Sequence, residues 1–160
     1  MPVNCTFALN DKTTSLLNCP GTGAFVAYSG RGAGRDNPDL TEKGGVGPIP
    51  KGFYYIIDRQ SGGRLGWLYD FIGAHGWGTT DHSQWFMLWN KATGDSTFVN
   101  GVVRGQFRLH PEGRLRLSEG CITLADRHGF NALARRLRAR GADLPVPGTS
   151  YRAYGTVEVK

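Results

Sequence analysis

Between Leu124 and Arg140 the apolar residues Phe130, Leu133, Ala134 and Leu137 recur at helical spacing, and Gly141 supplies a stop. That is one principal helix. The rest of the chain is punctuated by 24 glycines and eight prolines without a period, which excludes collagen and disorder and points to a turn-rich β protein. A length of 160 residues suits a single domain, 1–160, around one core. No apolar run reaches the roughly 18 residues of a membrane span, so no membrane insertion is expected. The opening Met-Pro-Val-Asn-Cys-Thr-Phe has neither the basic start nor the apolar centre of a Sec signal, so a periplasmic substrate requires another export route.

Short alternating runs mark the strands. Residues 5 to 19 read as a hairpin turning at Asn10 to Thr13, and the register that sets Phe7 opposite Leu17 sets Cys5 opposite Cys19. That pair is placed to form a disulfide in an oxidising compartment, leaving Cys121 free. Residues 24 to 29 form a third strand, and Arg31 to Gly47 form a Gly-, Asn- and Asp-rich loop long enough to border a groove. Gly47 to Gly52 turns into a strand from Phe53 to Asp58, whose continuous apolar run predicts burial on both faces. All four tryptophans lie between Trp67 and Trp89; Trp85, Met87 and Trp89 read as the alternate face of a core strand, while Tyr69, Phe71, His75, Asp81 and His82 suit an aromatic lid. Phe98 to Val103, Gln106 to His110, Ser150 to Tyr154 and Thr156 to Val159 complete the strands.

The chemistry concentrates in residues 107 to 124. His110 ends an apolar run, Cys121 follows, and the turn residues Pro111, Glu112 and Gly113 let the chain double back to bring imidazole and thiol together. A thiolate attacks carbonyls, and it needs a base to take its proton. Gly120 opens the backbone to a substrate carbonyl, so that the N–H groups of Gly120 and Cys121 can hold an oxyanion, and Ser118 is placed to orient imidazole or substrate. Thr123 reads as a helix N-cap, which would set Cys121 near a helix N-terminus and lower its pKa. No Cys-x-x-Cys or His-Glu-x-x-His spacing occurs, so neither a metal nor another cofactor is expected.

The segments His110-Pro111-Glu112-Gly113 and Ser118-Glu119-Gly120-Cys121-Ile122 resemble the active-site signature of L,D-transpeptidases, the YkuD-like catalytic domain. Upstream, Ala27-Tyr28-Ser29-Gly30, Asn37-Pro38 and Val46-Gly47-Pro48-Ile49-Pro50-Lys51-Gly52-Phe53-Tyr54 are similar to type VI secretion L,D-transpeptidase effectors, which are antibacterial toxins. Glu119 stands where housekeeping relatives carry a second histidine, and Thr123 where they carry Asn or Arg. The resemblance implies a mainly β sheet or sandwich with one helix. It also implies a catalytic set of Cys121, His110, Ser118 and Gly120, with substrate contacts from Tyr28, Ser29, Gly30, Arg108, Arg116 and Glu119. The expected reaction is acyl transfer through a cysteine thioester on peptidoglycan stem peptides, giving L,D-carboxypeptidase or exchange activity. The expected setting is a monomer delivered by type VI secretion machinery to the periplasm of a Gram-negative target and countered by an immunity protein.

The net charge of +6, from 19 Lys and Arg against 13 Asp and Glu, allows any acidic partner, but no nucleic-acid-binding motif accompanies it. Two rival readings remain at this level. One is a papain-like cysteine peptidase or amidase, in which Cys precedes His; here His128, the histidine after Cys121, falls in the helical segment facing away from the sulfur. The other is a wall- or partner-binding module with a structural cysteine.

Overall fold

A computed structural model describes residues 2–58, 84–113, 116 and 118–160. The strands are β1 (Val3–Phe7), β2 (Ser15–Cys19), β3 (Gly23–Tyr28), β4 (Gly52–Asp58), β5 (Phe86–Asn90), β6 (Ser96–Val99), β7 (Val102–Gly105), β8 (Arg108–Pro111), β9 (Ile122–Leu124), β10 (Leu144–Pro145) and β11 (Arg152–Val159). Among the described residues one α-helix, α1 (Arg127–Arg140), follows β9, and two 3-10 turns, Gly32–Gly34 and Pro38–Leu40, lie in the loop after β3.

Among the described residues the protein is mainly β with one helix, and the main sheet is continuous. Its order is β1-β2-β3-β9-β8-β5-β4-β11-β10, and β1 also pairs in parallel with β11, so eight strands join in a barrel-like ring with β10 attached to β11. Such closure removes the open edges that would otherwise invite aggregation. Between β1 and β2, Phe7 stands opposite Leu17 as the alternation requires, and Cys5 and Cys19 are bridged with their Cα atoms 4.2 Å apart.

Strand alternation separates two apolar clusters. On one face Tyr54, Ile56, Phe86, Leu88, Leu109, Ile122 and Leu124 pack with Phe130, Leu133, Ala134 and Leu137 of α1, the four positions that the helical spacing singles out. Each large side chain buried there contributes about 1.5–3 kcal/mol relative to exposure. On the opposite face Tyr55, Ile57 and Met87 pack with Val146 and Ala153, and Trp89 closes over them. Burial on both sides of β4 follows from its apolar run, and β5 is buried on both sides as well.

Four boundaries differ from the sequence reading. Phe98 to Val103 is a hairpin, not one strand, because Asn100 (φ 49°) and Gly101 (φ 79°) adopt the left-handed pair of a tight turn. β8 starts at Arg108 and runs through Pro111, which lies within the strand and not in a turn. Thr123 is a strand residue and not a helix cap. The cap is Asp126, whose carboxylate accepts from His128 N–H and Gly129 N–H at 3.1 and 3.0 Å. Residues 152–159 form one strand with a bulge between Ala153 and Gly155. The expected lid residues Trp67, Tyr69, Phe71, His75, Asp81 and His82 lie outside the described residues.

Candidate active site

A parallel strand pair, not a hairpin, sets His110 beside Thr123, two positions along the chain from Cys121. β8 and β9 align Leu109 with Ile122, His110 with Thr123 and Pro111 with Leu124. Leu109, Ile122 and Leu124 face α1, so alternation turns His110 and Thr123 to the other face. Cys121, one residue before β9, falls on that same side, two positions from Thr123.

The imidazole is held on several sides. Its Nδ1 lies 2.8 Å from the Pro111 carbonyl, which can only accept, so Nδ1 carries a hydrogen and Nε2 is the basic nitrogen of the neutral ring. The Thr123 hydroxyl lies 3.4 Å from Nε2. Trp85 stacks on the ring with centroids 4.3 Å apart and planes 18° from parallel. The β5–β8 register, Phe86 opposite Leu109, explains this contact, since one step further sets Trp85 beside His110.

Cys121 is buried and outside the disulfide. Burial pushes its thiol up to about 11, against the charge and backbone N–H of Arg108, while Glu119 adds to the rise and Arg104 opposes it. The expected thiolate-favouring helix terminus is absent because β9 intervenes between Cys121 and α1. Burial thus favours the protonated thiol, so a nucleophilic role for Cys121 would need a base to take its proton.

Ser118 acts on backbone and not on the imidazole. Its hydroxyl donates to the Cys121 carbonyl at 2.7 Å and accepts from Gly30 N–H at 3.3 Å. Gly120 has φ 109°, and a Cβ there would meet Arg104 Nη2 at 2.5 Å and the Phe107 ring at 3.0 Å, so only glycine fits the turn.

The upstream candidates are placed differently from expectation. Tyr28 is buried, and its hydroxyl donates to Glu112 Oε1 at 2.9 Å while Arg35 stacks on the ring 3.9 Å from its centre. Burial pushes the Tyr28 pKa up, reinforced by Glu112. Ser29 is buried as well: its hydroxyl accepts from Ile49 N–H at 2.8 Å and its N–H donates to Asp36 at 2.8 Å. Gly30 is wedged against the Gly34 and Val46 carbonyls. These three residues fix the loop against the Cys121 turn and present no free side chain to a substrate.

Arg108 is buried, donates to Phe107 O at 2.9 Å and pairs with Asp95 at 3.5 Å. Arg116 is exposed, 3.9 Å from Glu112, and its carbonyl accepts from Arg35. Glu119 is partly exposed and 3.9 Å from Arg31. Of the expected substrate contacts, Arg116 and Glu119 alone reach solvent.

Arg104 is a residue that the sequence reading missed. It is buried, and its guanidinium donates to the carbonyls of Thr41, Gly47 (3.2 Å), Pro48 (3.4 Å) and Glu119 (3.5 Å). A planar donor fork suits several acceptors at once. It ties the Arg31–Gly47 loop to the turn carrying Gly120 and Cys121, so that loop does border the site. No group of His, Cys, Asp and Glu among the described residues is placed to hold a metal ion, and no helix among them is long and apolar enough to cross a membrane.

The ring of strands carries a buried thiol, Cys121, just before β9, and an oriented imidazole, His110, in the neighbouring β8. The chain belongs to the Tlde1-domain family, whose model matches residues 23–149. This is a family of type VI antibacterial effectors related to L,D-transpeptidases. A search of curated proteins gives no match. The matched span leaves out β1, β2 and β11, which close the ring.

Proposed function

We propose that this chain is a peptidoglycan-modifying toxin with the YkuD-like catalytic fold, a cysteine acyltransferase that removes or exchanges the terminal D-alanine of tetrapeptide stems. The observation that carries the reading is the adjacency of β8, which ends in His110 and Pro111, to the segment 121–124, with the His110 Nδ1 held on the Pro111 carbonyl and the Cys121 thiol buried two positions before Thr123. Family membership supports the substrate class.

The Cys121 thiol gives its proton to His110 Nε2 as the sulfur forms a bond to the carbonyl carbon of the third stem residue. The electron pair moves onto the carbonyl oxygen, which the N–H groups of Gly120 and Cys121 hold. Collapse breaks the C–N bond, and His110 returns the proton to the departing amine of D-alanine. The thioester then passes its acyl group to water, leaving a shortened stem, or to an amine, completing an exchange. Thr123 and Trp85 hold the imidazole in plane, and Ser118 holds the backbone of the thiol.

The effector acts in the target periplasm, where stems are exposed, and a periplasmic immunity protein protects the producer. A second reading, a wall-binding module with a structural cysteine, is favoured by the burial of Cys121. Mass spectrometry of purified muropeptides separates the two. The enzyme shortens tetrapeptides to tripeptides or exchanges the last residue, and the Cys121→Ala protein does neither; unchanged muropeptides with the wild-type chain favour the binding module.

A further inference from the structure

α1 carries five arginines, Arg127, Arg135, Arg136, Arg138 and Arg140, and no acidic residue, in a chain whose net charge is +6. Nearly all of the excess charge therefore sits on one helix. Two of the five are accounted for by the fold. Arg138 donates to the Gln84 carbonyl at 3.4 Å and pairs with Asp58 at 3.6 Å, Arg140 pairs with Asp143 at 3.1 Å, and both lie in the last turn, where cations offset the helix dipole.

The remaining three are exposed and make no hydrogen bond or ion pair with any described residue. Arg127 sits in the first turn, directly after the N-cap Asp126, whose carboxylate is taken up by the His128 and Gly129 N–H groups. Arg127, Asn131 and Arg135 fall on one stripe of the helix. Arg135 lines an open groove of about 630 Å³ with His128, Asn131 and Arg138, and Arg136 lines a second of about 800 Å³ with Arg140. Each is large enough to seat a charged chain segment.

We infer that this helix face is a second attachment surface for the wall polymer, holding carboxylates of stem peptides other than the one undergoing reaction. The inference rests on the wall-substrate reading. α1 packs on the sheet face opposite His110 and Thr123, so its arginines do not reach the reacting stem. A polymer with repeated carboxylates engages both faces, and attachment by one raises the local concentration at the other. A protein partner fits less well. The exposed positions of α1 are Arg127, His128, Asn131, Ala132, Arg135, Arg136 and Ala139, with no large apolar anchor among them.

The test is co-sedimentation with purified, insoluble peptidoglycan of a Gram-negative cell at low and raised ionic strength, beside vesicles containing anionic lipid and double-stranded DNA. The variant is Arg127→Gln/Arg135→Gln/Arg136→Gln, with unchanged melting temperature and unchanged turnover of soluble muropeptides confirming its fold. Wild type and Cys121→Ala sediment equally, salt releases both, and the triple variant binds at least about tenfold more weakly and processes intact peptidoglycan more slowly. Equal sedimentation of the triple variant, salt-insensitive binding, or preference for vesicles or DNA overturns the inference. Turnover of soluble muropeptides is read separately, so its loss counts against the catalytic reading and not against this surface.

Discussion

The Ser118 hydroxyl donates to the carbonyl of Cys121 at 2.7 Å, and its oxygen accepts from Gly30 N–H at 3.3 Å, so one buried side chain joins the thiol's own peptide to a loop 88 residues away. Ser118→Ala leaves a buried carbonyl and a buried N–H without this partner, a loss of about 1–3 kcal/mol. Thermal denaturation should show that loss, and under the proposed mechanism turnover should fall mainly in kcat because the backbone of Cys121 shifts. An unchanged melting temperature would contradict the assignment.

Arg104→Lys should be no rescue of Arg104→Ala. The ammonium is a point donor and cannot serve the carbonyls of Thr41, Gly47, Pro48 and Glu119 together. Both variants should lose roughly 2–4 kcal/mol of stability, with several carbonyls left unpaired, and most of the activity. Denaturant titration of the pair checks this; full recovery with lysine would show that charge alone suffices.

The buried arginine shows where sequence reasoning stops. Its partners are backbone carbonyls far away in the chain, and carbonyls leave no signature in side-chain identity. Local patterns were readable where the structure obeys local rules: Phe7 against Leu17 fixes Cys5 against Cys19, and Phe130, Leu133, Ala134 and Leu137 fix the buried face of α1. Thr123 was misread because a β-branched residue in Ile-Thr-Leu prefers a strand, while Asp126 is the better cap. Trp85 reads as a core residue and is buried, and its contact with His110 depends on the β5–β8 register, which joins residues distant in the chain. Ring closure through β1 and β11 joins the two ends of the chain, a pairing that no local window contains.

Asp36 should make stability depend on pH. It is buried, and desolvation raises its pKa from 3.8 to about 7, with the Ser29 N–H and Arg35 opposing the rise. The folded state holds this proton more tightly than the unfolded chain. Its contribution is therefore complete below 3.8 and is lost as pH climbs to about 7. Asp36→Asn keeps an oxygen for Ser29 N–H and cannot ionise. Its melting temperature should gain on wild type across that range and keep a constant lead above it; parallel curves would contradict a buried titrating carboxyl.

Alkylation of Cys121 should be slow near neutral pH and rise about tenfold per pH unit toward the alkaline range, since only thiolate reacts and burial raises this thiol to about 11. Iodoacetamide labelling followed by peptide mass spectrometry reads the rate. Fast labelling at neutral pH would show a preformed thiolate.

Reducing the Cys5–Cys19 bridge, which spans 14 positions at the seam of β1 and β2, should lower stability by about 3 kcal/mol. Because β1 also pairs with β11, the loss should appear as earlier exchange of amide hydrogens in β1 and β11. Equal protection in oxidised and reduced protein would place the seam's stability elsewhere.

The central claim, that Cys121 carries the acyl group, is tested most directly by intact-protein mass spectrometry after acid quenching of the chain mixed with a disaccharide tetrapeptide. The wild-type protein should gain the mass of the muropeptide less one D-alanine, on Cys121 and labile to hydroxylamine, and Cys121→Ala should gain nothing. Turnover without any adduct, or an adduct that persists in Cys121→Ala, would contradict it.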